Sequence, residues 1–150
     1  MIRERIQEVQ YHEDDRAQRL LDVFSLTHCQ LNISYVNSTN HVVAWHRHEV
    51  QTDWWICLKG SFKVGLKTID LETVHTRAEG EPQPNSSVRW HYLSDKNFRI
   101  LRIPPGIWHG YKALEPNSIL MYCTDQKYDP NDELRCKVGS FGESWGKENK

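Results

Sequence analysis

No stretch of this 150-residue chain approaches the roughly 20 consecutive apolar residues that cross a bilayer as a helix. A membrane-spanning helix is therefore not expected. The first residues, MIRERIQEVQYHEDDR, are charged and lack the apolar centre of a secretory signal, so a cytoplasmic protein is expected. An excess of either charge is missing too: 19 Lys and Arg stand against 20 Asp and Glu, for a formal net charge of −1. The signs are interspersed, which removes the electrostatic footing for nucleic-acid binding. The four cysteines, Cys29, Cys57, Cys123 and Cys136, form no CxxC pair. That argues against a zinc knuckle or a dithiol redox motif and for reduced thiols packed in strands. Internal repeats and low-complexity tracts are absent, and one domain accounts for the length.

Helical periodicity is almost as scarce. Residues 1–22 have helix-compatible composition but poor apolar spacing (Ile2, Ile6, Val9, then a polar gap), and Leu20 to Phe24 looks extended. From Thr27 onward the pattern is β. Strands are expected at 28–36, 41–48, 54–58, 61–67, 69–74, 88–93, 97–103, 109–113 and 119–124, separated by Gly, Pro, Asn and Ser clusters. The longest polar loop is expected at 76–87, TRAEGEPQPNSS. Many short strands with regular turns predict an all-β sandwich or barrel, and the double-sheet jelly roll that includes the cupins fits best. The expected organisation is a single domain over 1–150: an N-terminal arm over 1–24, a barrel over 25–136 and a frayed tail over 137–150.

The stretch Val42 to Gly60, VVAWHRHEVQTDWWICLKG, concentrates two histidines, a carboxylate and three of the six tryptophans. Strand alternation would put Ala44, His46 and His48 on one face and Val43, Trp45 and Arg47 on the other. His46-x-His48 followed by Asp53 and Gly60, and later Pro104-x-Gly106-x-x-His109, resemble the two motifs of the cupin superfamily. In metal-dependent cupins the corresponding side chains bind a divalent metal. The resemblance thus implies His46, His48, Asp53 and His109 as one candidate set for a transition metal.

A second resemblance covers more of the chain. Leu93-Ser94, Asn97, Ile103 to Gly106, His109-Gly110-Tyr111, Tyr122, Tyr128 and Glu133 follow the pattern of the dTDP-4-dehydrorhamnose 3,5-epimerase family. Upstream, Gln30-x-Asn32 matches that family's Q-x-N, and His46 falls where its catalytic histidine lies. Asp14-Asp15-Arg16 and Asp22-Val23-Phe24 echo its N-terminal arm. The resemblance implies an epimerase or isomerase acting on a nucleotide-linked, dTDP-type 4-keto-6-deoxy sugar, without an obligatory cofactor, as a homodimer that exchanges N-terminal arms. In that chemistry a base removes the proton beside the ketone and an acid returns one from the opposite face. His46 would be the base, since imidazole exchanges protons near neutral pH, and Tyr122 the acid. Gln30, Asn32, His48, His109, Tyr128 and Arg16 would bind substrate.

The chain also departs from the pattern. Val43 stands where the family has an Arg, Asp53 stands where it has a Lys, and no C-terminal Asp is evident to orient the base. Arg47, Arg99, Arg102 or Lys112 could supply the missing charge, or His48 and Asp53 could replace the lost groups. Two alternatives to the epimerase accompany these departures: a metal-dependent cupin enzyme and a non-catalytic sugar-binding cupin. His12, His28, His41, His75 and His91 have no spacing that suggests a role.

Overall fold

The structure, a computed structural model, describes residues 2–68 and 88–146. The strand expected at 69–74 and the polar loop at 76–87 lie outside the described residues. Twelve strands are described. The N-terminal residues form β1 (Arg5–Glu8), β2 (Gln10–Glu13) and β3 (Gln18–Leu21), so the helix-compatible composition there gives strands instead. The next four are β4 (Gln30–Val36), β5 (Val42–Arg47), β6 (Asp53–Lys59) and β7 (Ser61–Thr68). After the undescribed segment come β8 (Arg89–Ser94), β9 (Arg99–Ile103), β10 (Ile107–Ala113), β11 (Ser118–Thr124) and β12 (Leu134–Arg135). A 3₁₀ turn at Pro130–Asp132 is the one helical piece among the described residues, and no described helix is long and apolar enough to cross a membrane.

The strands make two antiparallel five-stranded sheets, β1-β9-β6-β11-β4 and β12-β5-β10-β7-β8, with β2 and β3 as a separate hairpin. Non-consecutive neighbours in both sheets give the jelly-roll weave expected for this fold class. Period-two alternation decides what each sheet turns inward. Between the sheets lie Trp55, Cys57, Phe62, Val64, Leu66, Leu93, Leu101, Ile103, Ile107 and Leu120, all buried. Each large apolar side chain fully removed from water stabilises the fold by about 1.5–3 kcal/mol before entropy is counted. Where the inward residues become polar, the space between the sheets opens into a cavity.

A second apolar layer covers the outer face of the β5-containing sheet. Trp45, Trp108 and Trp145 are buried there, with Trp90 and Phe141 packed against them. Gly65 makes room for it: a Cβ at that position would come within 2.7 Å of Trp45 and 2.9 Å of Trp90. Residues 137–146 are thus not the frayed tail expected from composition. Trp145 is only 6% exposed, and Glu143 accepts hydrogen bonds from the indole N–H groups of Trp45 (2.8 Å) and Trp145 (3.2 Å). The burial of Trp145, with Phe141 packed beside it, anchors a segment that is otherwise largely polar.

The N-terminal arm lies against its own chain. β1 pairs with β9 from Arg5↔Arg102 to Glu8↔Arg99. Just ahead of it, Glu4 takes Arg89 as a bidentate partner at 2.7 and 2.9 Å and lies 3.3 Å from His91. Burial pushes the Glu4 carboxyl up, but the hydrogen bonds and charge of Arg89 and the contact with His91 outweigh it and hold the group at about 2.

Candidate active site

The cavity between the sheets has a volume of about 370 Å³. Its two walls come from different sheets. On one, β4, β6 and β11 are in register so that Tyr122 lies opposite both Asn32 and Trp55, and Thr124 lies opposite Gln30 and Asp53. Because these pairs share a face, Gln30, Asn32, Asp53, Trp55, Tyr122 and Thr124 all line the cavity. The other wall carries His46 from β5 and His109 from β10, which are paired directly.

The alternation expected for β5 holds only in part. His46 is opposite His109 but Val43 is opposite Tyr111, so three steps on β5 match two on β10. This extra residue is a β-bulge. It turns Val43 into the cavity and Ala44 into the outer tryptophan layer, the reverse of a simple period of two. Close approach of the two strands depends on Gly110, where a Cβ would come within 2.8 Å of the Ala44 Cα and of the Val43 carbonyl oxygen.

His46 has a carboxylate partner. Its Nδ1–H donates to Glu133 Oε1 at 2.9 Å, which leaves Nε2 to carry the lone pair of the neutral ring. Sequence reasoning placed Glu133 in a matched terminal motif and missed this role. Its contact with His46 depends on β12 pairing with β5, Arg135 opposite His46. Glu133 Oε2 receives two bonds from Arg135, at 3.1 and 2.8 Å, and the Tyr128 hydroxyl at 3.5 Å. Burial raises the Glu133 carboxyl, and the bonds and charges of Arg135 and His46 more than reverse this, leaving it below the usual carboxylate range.

His48 and His109 are oriented by backbone. His48 Nδ1–H donates to the Asp132 carbonyl at 3.0 Å and His109 Nδ1–H to the Ile107 carbonyl at 2.9 Å. Burial, opposed by the charge of Asp53, lowers the proton affinity of His109. The Gln51 amide donates to His48 Nε2 (3.3 Å) and to Asp53 Oδ1 (2.7 Å), while the Trp55 indole donates to Asp53 Oδ2 (3.0 Å). The loop carrying Gln51 is itself fixed, because the Asp132 carboxylate accepts the backbone N–H groups of Glu49, Val50 and Gln51. Gln51 and Asp132 escaped sequence reasoning because neither stands in a recognisable spacing.

Donor atoms of His48, Asp53 and His109 lie within 4.8 Å of one another. Two imidazole nitrogens and a carboxylate are a fitting donor set for a divalent transition metal, and the carbonyl bonds on Nδ1 leave Nε2 as the ligand atom in both rings. His46 is not part of this cluster, and its Nδ1 is committed to Glu133. The four-residue set expected from the motifs reduces to three.

Other expected residues are placed elsewhere. Arg16 is on the β2–β3 turn, bonded to Asp14 at 2.8 Å, and does not line the cavity. No Lys or Arg is among the described lining residues. Arg47 lies over Trp108 and pairs with Glu49, and Arg102 lies over Trp54. Arg99 pairs with Glu8, and Lys112 is buried beside Lys63 rather than at the cavity. Strand parity explains Arg47, Arg102 and Lys112: each is one step out of phase with an inward neighbour. Tyr128 is at the cavity rim, its backbone N–H donating to Gln30 Oε1 at 2.9 Å.

Comparison with known proteins agrees with this geometry. The family model for dTDP-4-dehydrorhamnose 3,5-epimerase matches residues 74–145. The probable low-salt glycan biosynthesis epimerase Agl13 of Haloferax volcanii is 32% identical over 140 residues, covering 87% of this chain and 83% of that protein. Among solved structures, the dTDP sugar isomerase of Desulfovibrio desulfuricans G20 superposes with a TM-score of 0.72 at 24% identity, over 95% of this chain and 90% of that one. A mutant of the 3,4-ketoisomerase QdtA of Thermoanaerobacterium thermosaccharolyticum, solved with TDP-4-keto-6-deoxyglucose, superposes at 0.65 and 17% identity, over 89% and 87% of the two chains. These last two likenesses concern the fold alone, which is of the cupin type. The family match and the relative aligned over 87% of this chain, together with the cavity and the paired motifs, place this chain in the dTDP-4-dehydrorhamnose 3,5-epimerase family, as an epimerase-like enzyme.

Proposed function

We propose that the enzyme epimerises or isomerises a nucleotide-linked 4-keto-6-deoxy sugar, with dTDP as the carrier, by moving a proton at the carbon beside the ketone. The observation that carries this reading is a carboxylate-bound imidazole facing one wall of the cavity while a phenol lines the other. His46 Nε2 takes the proton, and Glu133 holds the ring in the required tautomer and stabilises the imidazolium that forms. Tyr122, on the opposite sheet, returns a proton to the other face. The enolate oxygen must then be met by neutral donors, because no Lys or Arg lines the described cavity. The side-chain amides of Asn32, beside Tyr122, and Gln30 are the donors available there. Loss of one preorganised donor of this kind costs about 10²–10³ in rate.

The test is deuterium exchange. Incubated in D₂O with a dTDP-4-keto-6-deoxy sugar, the wild-type enzyme should place deuterium beside the ketone. His46→Ala should abolish uptake, and Tyr122→Phe should block formation of the inverted product. Uptake that survives both substitutions would refute the roles assigned.

A second reading rests on the His48, Asp53 and His109 cluster. A divalent metal held by these three would supply Lewis-acid polarisation of the ketone oxygen. Metal analysis of chelator-free protein separates the readings: stoichiometric metal lost in His48→Ala supports the second, and full activity after chelation supports the first. The homodimer implied by the family is consistent with Leu31, Ile33 and Tyr35, which leave the outward face of edge strand β4 apolar and exposed. A monomeric mass in light scattering would exclude it.

A further inference from the structure

The geometry points to Arg135 as the residue that binds the diphosphate of the substrate, at the rim of the cavity beside Tyr128. This rests on the nucleotide-sugar reading above and adds a binding residue to it. The wall of the cavity contributes two carboxylates, Asp53 and Glu133, and no Lys or Arg among the described residues. A diphosphate is repelled from such an interior, because like charges held close in a medium of low dielectric oppose each other strongly. The sugar can enter while the diphosphate stays outside, where a cation must meet it.

Of the described guanidinium and ammonium groups, Arg135 is the one bonded to a residue lining the cavity. Arg47, Arg99, Arg89 and Arg16 are paired with Glu49, Glu8, Glu4 and Asp14, away from the cavity wall. Arg135 reaches Glu133 Oε2, the oxygen turned away from His46, through Nε and Nη2. A guanidinium has five N–H groups in a planar fork, and Nη1 carries none of the bonds to Glu133. The side chain is 65% exposed, so a ligand can reach it. The hydroxyl of exposed Tyr128 donates to the same carboxylate oxygen at 3.5 Å. Phosphate oxygens match the spacing of the fork, which can bridge Glu133 and a phosphate at once. The rim therefore offers one cation and one aromatic face next to the opening, the two elements a nucleoside diphosphate requires.

Isothermal titration of wild type, Arg135→Gln, Arg135→Lys and Arg16→Gln with inorganic pyrophosphate, TDP and thymidine tests this. Arg135→Gln should weaken pyrophosphate and TDP binding at least tenfold, leave thymidine binding unchanged and keep the wild-type melting temperature. Arg135→Lys should recover part of the loss, and KM for the sugar nucleotide should rise more than kcat falls. Unchanged pyrophosphate affinity in Arg135→Gln would overturn the assignment. So would a loss confined to Arg16→Gln, which would place the phosphate on the hairpin. No binding of TDP or pyrophosphate to wild type would overturn it as well. Arg135-dependent TDP binding without deuterium exchange would keep the assignment and sink the epimerase reading. Exchange that is indifferent to Arg135 would do the reverse.

Discussion

At the scale of single residues, the proposed base, His46, meets a carboxylate partner 87 positions away in sequence. Glu133 has a carboxylate held below its usual range because Arg135 and His46 outweigh its burial. Replacing it with Gln keeps the shape and removes the charge that, in the proposed mechanism, stabilises the imidazolium. Glu133→Gln should lower kcat about 10²–10⁴-fold with a small change in KM, the pattern of a lost transition-state interaction, and steady-state kinetics will show it. Glu133→Asp should restore part of the activity if the role is electrostatic. The histidines, Tyr122, Asn32 and Gln30 of the site were legible as residues, because short motifs and strand parity are local. Glu133 was visible as a motif position, but its pairing with His46 was not. A carboxylate's partner is set by which strands lie side by side.

At the scale of elements, β5 decides the site and Gly110 decides β5. The bulge between the two strands turns Val43 inward, and an added methyl on Gly110 would collide with the Ala44 backbone at 2.8 Å. Gly110→Ala should destabilise the fold by about 1–3 kcal/mol through overpacking. It should also displace His46 from Glu133, so that activity falls further than the melting temperature alone predicts. Thermal melts and kcat measured on the same preparation will separate the two effects. The strands from β4 to β11 were legible from alternation and turn residues, whereas β1, β2 and β12 were not. The bulge was not, because it arises from the fit of two strands, and alternation within one strand carries no record of it.

At the scale of the whole molecule, the N-terminal arm is fastened by a partly buried ion pair. Glu4 is depressed to about 2 in the folded chain, against about 4.3 for an unperturbed Glu. A depressed carboxylate stabilises the fold above its unfolded pKa, and the stability is lost as pH falls through the folded value. The contribution of Glu4 should therefore be complete above about pH 5 and fade between roughly pH 4 and pH 2. Glu4→Gln should flatten stability across that window, as read from denaturant midpoints at several pH values. Equal slopes for wild type and variant would show that the latch contributes nothing.

The sequence by itself determined the all-β class, the positions of β4 to β11, the family, and many of the polar side chains that line the cavity. These follow from periodicity, turn residues and motif spacing, which are properties of neighbouring residues. Only the tertiary structure decided that Glu133 meets His46, that the candidate cations point away from the cavity, and that Trp145 anchors the C-terminal segment. It also placed Arg135 at the rim. Each of these is a meeting of residues from distant strands, set by sheet order and register, and no local pattern in the chain encodes which distant partner a strand will find.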